Sequence, residues 1–313
     1  MKIGVIGTGM VGATSAYALI MRGIGREIVL VDKNRERAEA EAADILHAVP
    51  FVKPMLIRAG EYEDLQAARV IVLAAGVNQK PGESRTALLR RNAEIFADVV
   101  PRAIRHAPEA IFIVATNPVD ILTYQAAAVA AQSGIARHRV IGTGTALDTA
   151  RFRSILGRRL QVDSNHVHAN VLGEHGDSEV LAWSSASIAG LPLETIAQLQ
   201  QVELGLEQRE QVDDAVRNAA YHIIEGKGST YYGVGGAISS MVDAIIHNRR
   251  AIFTVSSLTA QVGPVQDVTL SLPRIVGGGG VLGTLKTPLN EPEQQRLHHS
   301  AAKIRQGIET LGT

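Results

Sequence analysis

The 313-residue chain contains no cysteine, which excludes disulfides, thiolate metal sites and a cysteine nucleophile, so any chemistry must come from other residues. It also lacks a charge excess. Its 31 basic side chains balance 31 acidic ones, and the basic footprint that a phosphate backbone demands is missing, which argues against nucleic acid as a partner. Long apolar runs are missing as well: no window reaches the roughly 18 uninterrupted residues needed to cross a bilayer, and alanine-rich Tyr124 to Ala131 is too short. Lys2 and the apolar stretch up to Ala18 have the outline of an export signal, but glycines at 4, 7, 9 and 12 interrupt it and fit a strand and turn better. A cytoplasmic protein, off the membrane, is the resulting expectation. Histidine and carboxylate side chains do not cluster at ligand spacing beyond Glu174-His175, so no metal is expected. No repeat of solenoid period exists, and Gly277 to Gly280, the one low-complexity run, reads as a turn between strands.

What is present is an ordinary globular composition, 46% apolar and 20% charged, on a chain long enough for two domains. The first half alternates short β-branched runs with longer amphipathic ones, the pattern of a parallel sheet covered by helices on both faces. Strands are predicted at Lys2 to Ile6, Glu27 to Val31, Met55 to Ala59, Val70 to Ala74, Ile111 to Ala115 and Val140 to Gly142. Helices are predicted near Val11 to Met21, Arg35 to His47, Leu88 to Ala107 and Asp120 to Gln132, each long enough for a right-handed crossover. Beyond Gly144 the pattern shifts to helices at Leu147 to Leu156, Glu207 to Glu225 and Gly233 to His247, then strands at Ile252 to Leu258 and Val268 to Leu272. Leu297, Ala301, Ile304, Ile308 and Leu311 mark one face of a closing helix, with Asn290 as N-cap and Pro292 in the first turn. The fold class predicted is α/β: an N-terminal doubly wound parallel sheet of Rossmann type over 1–144 and a mixed α+β catalytic domain over 145–313.

Directly after the first strand, Gly7-Thr8-Gly9-Met10-Val11-Gly12 opens the first helix, and Asp32 ends the second strand twenty residues beyond Gly12. Glycine fingerprint, strand, helix and acid together form a dinucleotide site. Gly7 permits the tight turn, Gly9 lets backbone approach a pyrophosphate, Gly12 allows close packing, and the N–H groups that open the helix, including those of Met10 and Val11, face the phosphates. Asp32 suits ribose hydroxyls and repels a 2′-phosphate, so NAD is favoured over NADP, with Lys33 softening that preference.

Four further motifs follow: Gln79-Lys80-Pro81-Gly82-Glu83-Ser84-Arg85, Thr116-Asn117-Pro118-Val119-Asp120, Leu147-Asp148-Thr149-Ala150-Arg151 and Gly173-Glu174-His175-Gly176-Asp177. Taken in this order over essentially the whole chain, with no departure at a motif position, they closely resemble the L-lactate dehydrogenases of the lactate/malate dehydrogenase family. The resemblance implies His175 as general acid/base, for which an imidazole titrating near working pH is suited, and Asp148 as the carboxylate that orients it. Asp148 also reads as an ordinary acid at a helix N-terminus, and the two readings are compatible. Arg151, three residues on, resembles the arginine that grips a substrate carboxylate with two parallel hydrogen bonds. Arg85 resembles the arginine that enters with a loop, about Asn78 to Ala87, and stabilises charge developing on the substrate oxygen. Asn117 matches a residue on the reacting oxygen and beside the cofactor, though Asn-Pro is also an ordinary turn. Thr230 and Val234 match positions lining substrate and nicotinamide.

Gln79 matches the position that faces the far end of the substrate, where glutamine accompanies the methyl of pyruvate and malate-specific relatives carry arginine. The substrate pair implied is L-lactate and pyruvate. Arg153 and His168 match basic positions that hold fructose 1,6-bisphosphate between subunits in allosteric bacterial members, and a homotetramer is implied with them. The alternatives are a malate dehydrogenase with the same machinery and a non-catalytic NAD-binding protein, the latter disfavoured by the complete set of His175, Asp148, Arg151 and Arg85. Because glutamine cannot neutralise a second buried carboxylate, Gln79→Arg is predicted to raise oxaloacetate turnover and lower pyruvate turnover by about two orders of magnitude. Steady-state kcat/KM for both substrates checks this, and an unchanged ratio removes Gln79 from the role.

Overall fold

The computed structural model describes residues 1–77, 82 and 84–311, with the side chain of Arg85 outside that description. Gln79 and most of the segment around it therefore lie outside the described residues. The chain opens as β1 (Lys2–Ile6), α1 (Met10–Met21), β2 (Glu27–Val31), α2 (Arg35–Leu46), β3 (Leu56–Ala59), β4 (Ala68–Leu73), α3 (Arg85–His106), β5 (Ile111–Val114), α4 (Val119–Gln132) and β6 (Val140–Gly142). These six strands are parallel and lie in the order β3-β2-β1-β4-β5-β6. The order reverses between β1 and β4, which makes a crevice at the carboxyl ends of those two strands, the place where ligands bind in open α/β sheets.

The second half continues with α5 (Ala146–Arg159), the short strands β7 (Val167–His168), β8 (Val171–Leu172), β9 (Val180–Leu181), β10 (Ser187–Ile188) and β11 (Leu191–Pro192), then α6 (Leu193–Leu199), α7 (Leu206–Lys227) and α8 (Tyr232–Ile246). A meander of β12 (Ala251–Val262), β13 (Val265–Gly277) and β14 (Gly280–Thr284) and the closing α9 (Glu291–Glu309) complete it. The fold class agrees with the sequence expectation, and the turn at Gly277 to Gly280 falls between β13 and β14.

Three differences have physical causes. The meander joins the parallel sheet, β12 pairing with β6 through Ser256 and Gly142, so one nine-stranded sheet runs through both halves. Strand pairing between distant segments leaves no local periodicity to read. The five short strands and α6 were not anticipated, because two-residue strands are too brief to show alternation. Helix α3 starts at Arg85, not Leu88, because the Ser84 hydroxyl accepts from the Ala87 N–H (3.2 Å) and caps it. The end of the anticipated loop, 85–87, is therefore the first turn of a helix.

Two apolar layers flank the sheet. On one face Phe96, Leu122 and Ala126 of α3 and α4 meet Leu73 and Phe112, and on the other Leu19 and Ile20 of α1 join Val242 of α8 over Ile3, Ile28 and Leu30. Helix α8, from the second half, thus covers the first-half sheet. Gly235 makes this possible, since a Cβ there would sit 2.8 Å from Thr14 Cγ2 and 3.1 Å from the Thr14 carbonyl oxygen. A separate core around Phe152, Leu156, Val171 and Val216 supports α5, and α9 buries Leu297, Ala301, Ile304 and Ile308 against β13. The start of α9 is a capping box: Asn290 Oδ1 accepts from the Glu293 N–H (2.9 Å), and Glu293 returns a carboxylate oxygen to the Asn290 N–H (3.3 Å). Asn290→Ala is predicted to cost about 1 kcal/mol of stability, read as a lower urea midpoint at unchanged slope.

Candidate active site

At the crevice, Gly7 holds φ +94°, and a Cβ there would fall 2.4 Å from the Ala75 nitrogen, while one on Gly12 would fall 1.9 Å from the Gly7 carbonyl oxygen. Both glycines are required by packing. Gly9 differs: no heavy atom lies within 4 Å of its would-be Cβ, so the surface above it is open to a ligand. Gly9 is also the N-cap of α1 and has no side chain to cap the helix, which leaves the N–H groups around Met10 and Val11 for an anion. Asp32 closes β2 with Oδ2 accepting from the Thr8 N–H (2.7 Å) and hydroxyl (3.0 Å) and Oδ1 accepting from the Asn34 N–H (2.9 Å). Burial pushes the Asp32 carboxyl up, but these hydrogen bonds and the Arg37 charge outweigh it and hold the carboxyl below the ordinary range, so the group is anionic at neutral pH. An uncapped helix, an open glycine and a fixed carboxylate at this spacing fit NAD. Val234 of α8 is half-buried and packs against the apolar layer on this face of the sheet, as Ala74 and Ala115 at the ends of β4 and β5 also do.

The second cluster draws on segments far apart in sequence. Asp148 sits in the first turn of α5 and His175 in the loop between β8 and β9, and His175 Nδ1 meets Asp148 Oδ2 at 2.6 Å. Arg151, one turn along α5, donates from Nη1 to Asp148 Oδ1 at 2.8 Å. Asp148 is 3% exposed while the His175 ring keeps 27%, so the carboxylate is sealed and the imidazole reaches the surface of the cleft. Attraction to Asp148 pushes His175 up to about 9, against burial and with help from the Asp148 hydrogen bond, Asp120 and Glu179. Burial pushes Asp148 up in turn, but His175 and Arg151 outweigh it and hold the carboxyl below the ordinary range. The pair is an ionised imidazolium and carboxylate near neutrality.

Ser271 of β13 sets the spacing between those segments. Its backbone bonds Gly173 in both directions at 2.9 Å, two residues before His175, and its hydroxyl accepts from the Thr145 N–H at 3.0 Å, three residues before Asp148. Thr149 of α5 adds a bond from the Val171 N–H to its hydroxyl (2.9 Å).

Asn117 is exposed at the start of α4, next to the cis Asn117-Pro118 bond. Its carbonyl accepts from Asn92 Nδ2 (2.8 Å), and Asn92 Oδ1 accepts from the Val77 N–H (2.8 Å), so one buried amide ties the β4 and β5 loops together. Thr230 is half-buried just before α8. The backbone of Arg85 opens α3, and Gln79 lies outside the described residues. Arg153 is turned away from the His175 cluster, with Nε donating to the Ala169 carbonyl (2.8 Å) and Nη2 to Asn170 Oδ1 (3.3 Å), beside exposed His168. Among the described residues no group of three or more histidine and carboxylate side chains is arranged to hold a metal ion.

Sequence reasoning missed Thr8, Asn92, Ser271, Asp120 and Glu179. Asp120 stands inside a quoted motif without a role, yet its Oδ2 accepts from the His175 backbone N–H at 2.8 Å. Burial drives its carboxyl up to about 6, with Ser256 and His175 pulling the other way. A polar residue between apolar neighbours was the available signal for Asp120, between Val119 and Ile121, and for Ser271, between Leu270 and Leu272; Asn92, between Arg91 and Ala93, carried none.

With this geometry in place, the comparisons with known proteins agree on one family. Residues 1–142 match the lactate/malate dehydrogenase NAD binding domain, and residues 145–312 the lactate/malate dehydrogenase alpha/beta C-terminal domain. An L-lactate dehydrogenase of Geotalea daltonii is 51% identical over 311 residues, 99% of each chain, and one of Thermus aquaticus is 51% identical over 312 residues, 100% of each. A solved lactate dehydrogenase from a Medee basin deep-sea metagenome library superposes with a TM-score of 0.95 at 40% identity, covering 100% of this chain and 99% of its own.

Removal of the Asp148 charge tests the electrostatics directly. Asp148→Asn is predicted to lower the His175 titration midpoint by about two units or more, measured by NMR on histidine-labelled protein. The folded His175 value of about 9 exceeds the ordinary 6.5, so the stability the imidazolium contributes is complete below about pH 6.5, as long as Asp148 stays ionised, and fades as pH rises through 9; the variant should lose that alkaline dependence.

Proposed function

The chain belongs to the lactate/malate dehydrogenase family, and from that premise we propose that it works as an NAD-dependent L-lactate dehydrogenase, interconverting L-lactate and pyruvate, with His175 as acid/base. The observation that carries the assignment of roles is the 2.6 Å contact between His175 Nδ1 and Asp148 Oδ2. An ionised carboxylate only accepts, so Nδ1 carries the hydrogen and Nε2 is left to exchange a proton with substrate. His175 takes the hydroxyl proton of lactate at Nε2 and returns it to pyruvate. A group held protonated near neutrality is matched to pyruvate as the proton-accepting partner. NAD, held by Gly7, Gly9, Met10, Val11, Gly12 and Asp32 with Asn117 and Val234 beside it, supplies the acceptor for the hydride that leaves the same carbon.

Arg151 binds the substrate carboxylate. Asp148 holds Nη1, and the rest of the fork has no partner among the described residues. The arginine is thereby anchored in one orientation, which a lysine in its place would not keep. Arg85 stabilises charge developing on the substrate oxygen, Asn117 and Thr230 orient the substrate, and Gln79 faces the methyl of pyruvate. A division of labour at 144/145 follows, the first part holding cofactor and the second supplying acid/base and carboxylate clamp.

The same reading extends to a cytoplasmic homotetramer activated by fructose 1,6-bisphosphate at Arg153 and His168. Its support is chemical: two basic side chains, with Arg153 bonded to the carbonyl that follows His168, and no helix among the described residues long and apolar enough to cross a membrane.

Following NADH oxidation with pyruvate and with oxaloacetate, with and without fructose 1,6-bisphosphate, tests the proposal. Pyruvate should win by about a hundredfold or more in kcat/KM, and the effector should lower the pyruvate KM in the parent but not in Arg153→Gln. Preference for oxaloacetate would transfer the chain to malate dehydrogenase, and turnover of neither would leave an NAD-binding protein without this activity.

A further inference from the structure

Glu179 is 4% exposed, and its Oε1 is buried without a hydrogen-bond partner. It stands four residues after His175, where the Glu179 N–H donates to the Gly176 carbonyl (3.0 Å) and folds the loop back on itself. The reaction as derived makes no use of this carboxyl. Burying an acid with an unpaired oxygen costs stability, so its presence beside an ionised cluster asks for a physical reason. The groups within its electrostatic reach come from three elements: Asp148 and Arg151 on α5, Arg217 on α7, and His175 in its own loop. Those facing His175 are Asp148 on α5, Asp120 on α4 and Glu179 itself. Glu174, adjacent to His175, is turned to α9, with Lys303 Nζ at 3.3 Å.

We propose that Glu179 is a positioning residue of the electrostatic kind: its carboxyl, buried four residues after His175 on the same folded-back loop and with Oε1 unpaired, extends the pH range over which His175 keeps its proton. The inference rests on the acid/base role given to His175. Burial first, and then repulsion from Asp148, drive Glu179 up to about 8, with Arg217, His175 and Arg151 pulling down. Near pH 7 it therefore holds a proton and adds no third anion beside Asp148. As pH rises past 8 it ionises, and the new negative charge stabilises the imidazolium just where that imidazolium would begin to fail. The sign follows from Coulomb attraction: an anion near His175 raises its proton affinity, and removing the anion lowers it. Arg217, which also donates to the Asp177 carbonyl (3.1 Å), limits how high the Glu179 titration moves.

The test is an NMR titration of His175 in the full-length protein without ligands, its resonance assigned among ten histidines by its loss in His175→Gln. Glu179→Gln keeps the shape and removes the charge. The His175 midpoint should fall by about one unit, and the alkaline limb of kcat/KM for pyruvate should move down with it. Glu179→Asp, which restores an anion, should recover most of the shift. An unmoved midpoint in Glu179→Gln overturns the inference, as does a loss of kcat/KM that is equal at every pH, the mark of packing alone. The acid/base reading fails separately, if His175→Gln retains pyruvate reduction.

Discussion

The site depends on one buried carboxylate. Taking Asp148 out of water carries a penalty of several kcal/mol unless its charge is matched and its lone pairs are filled, and here His175 fills Oδ2 while Arg151 fills Oδ1. The three residues are therefore a single electrostatic unit. The imidazole is charged because the carboxylate is there, the carboxylate stays ionised because the two cations are there, and the guanidinium is oriented by the same contact. Loss of any member leaves an uncompensated charge among groups that were arranged around it. Two further carboxyls in the neighbourhood are pushed up chiefly by burial, Asp120 to about 6 and Glu179, which Asp148 also repels, to about 8.

A unit of this kind needs its parts brought from different places with small tolerance. Asp148 and Arg151 are joined by one helical turn, but His175 arrives on a loop, and what brings it is β13, with Ser271 bonded to the segments before both residues. The meander that carries Ser271 is an extension of the parallel sheet. The sheet that ends in the cofactor crevice is thus the same rigid body that spaces the acid/base pair, and substrate and nicotinamide can be held in register without a separate device. On the other side, Asn92 links the loops after β4 and β5, and Thr8 fixes Asp32, so hydrogen bonds hold both these loops and the crevice carboxylate in place.

The parallel half of the fold was legible because each of its features is local. Strand and helix periods, the glycine fingerprint and the acid ending β2 need only neighbours in sequence to be read. Asp148 and Arg151 are local in the same sense, three residues apart on one helix. The second half was less legible: strands of two residues show no alternation, and the Ser84 cap that advanced the start of α3 was overlooked within a motif read as loop.

The sequence by itself determined the element order of the first half and the cofactor class, which follow from residue types at short spacing, and, through the resemblance its motifs carry, pointed to the family and to His175, Asp148 and Arg151. Tertiary structure alone decided that one sheet spans both halves, that Ser271 spaces the pair, that Arg153 turns away from the cluster, and that Asp120 and Glu179 are buried beside His175. The physical reason is that charge state, burial and hydrogen-bond partnership belong to neighbours in space, and between residues 148 and 175, or 145 and 271, only the folded sheet makes neighbours.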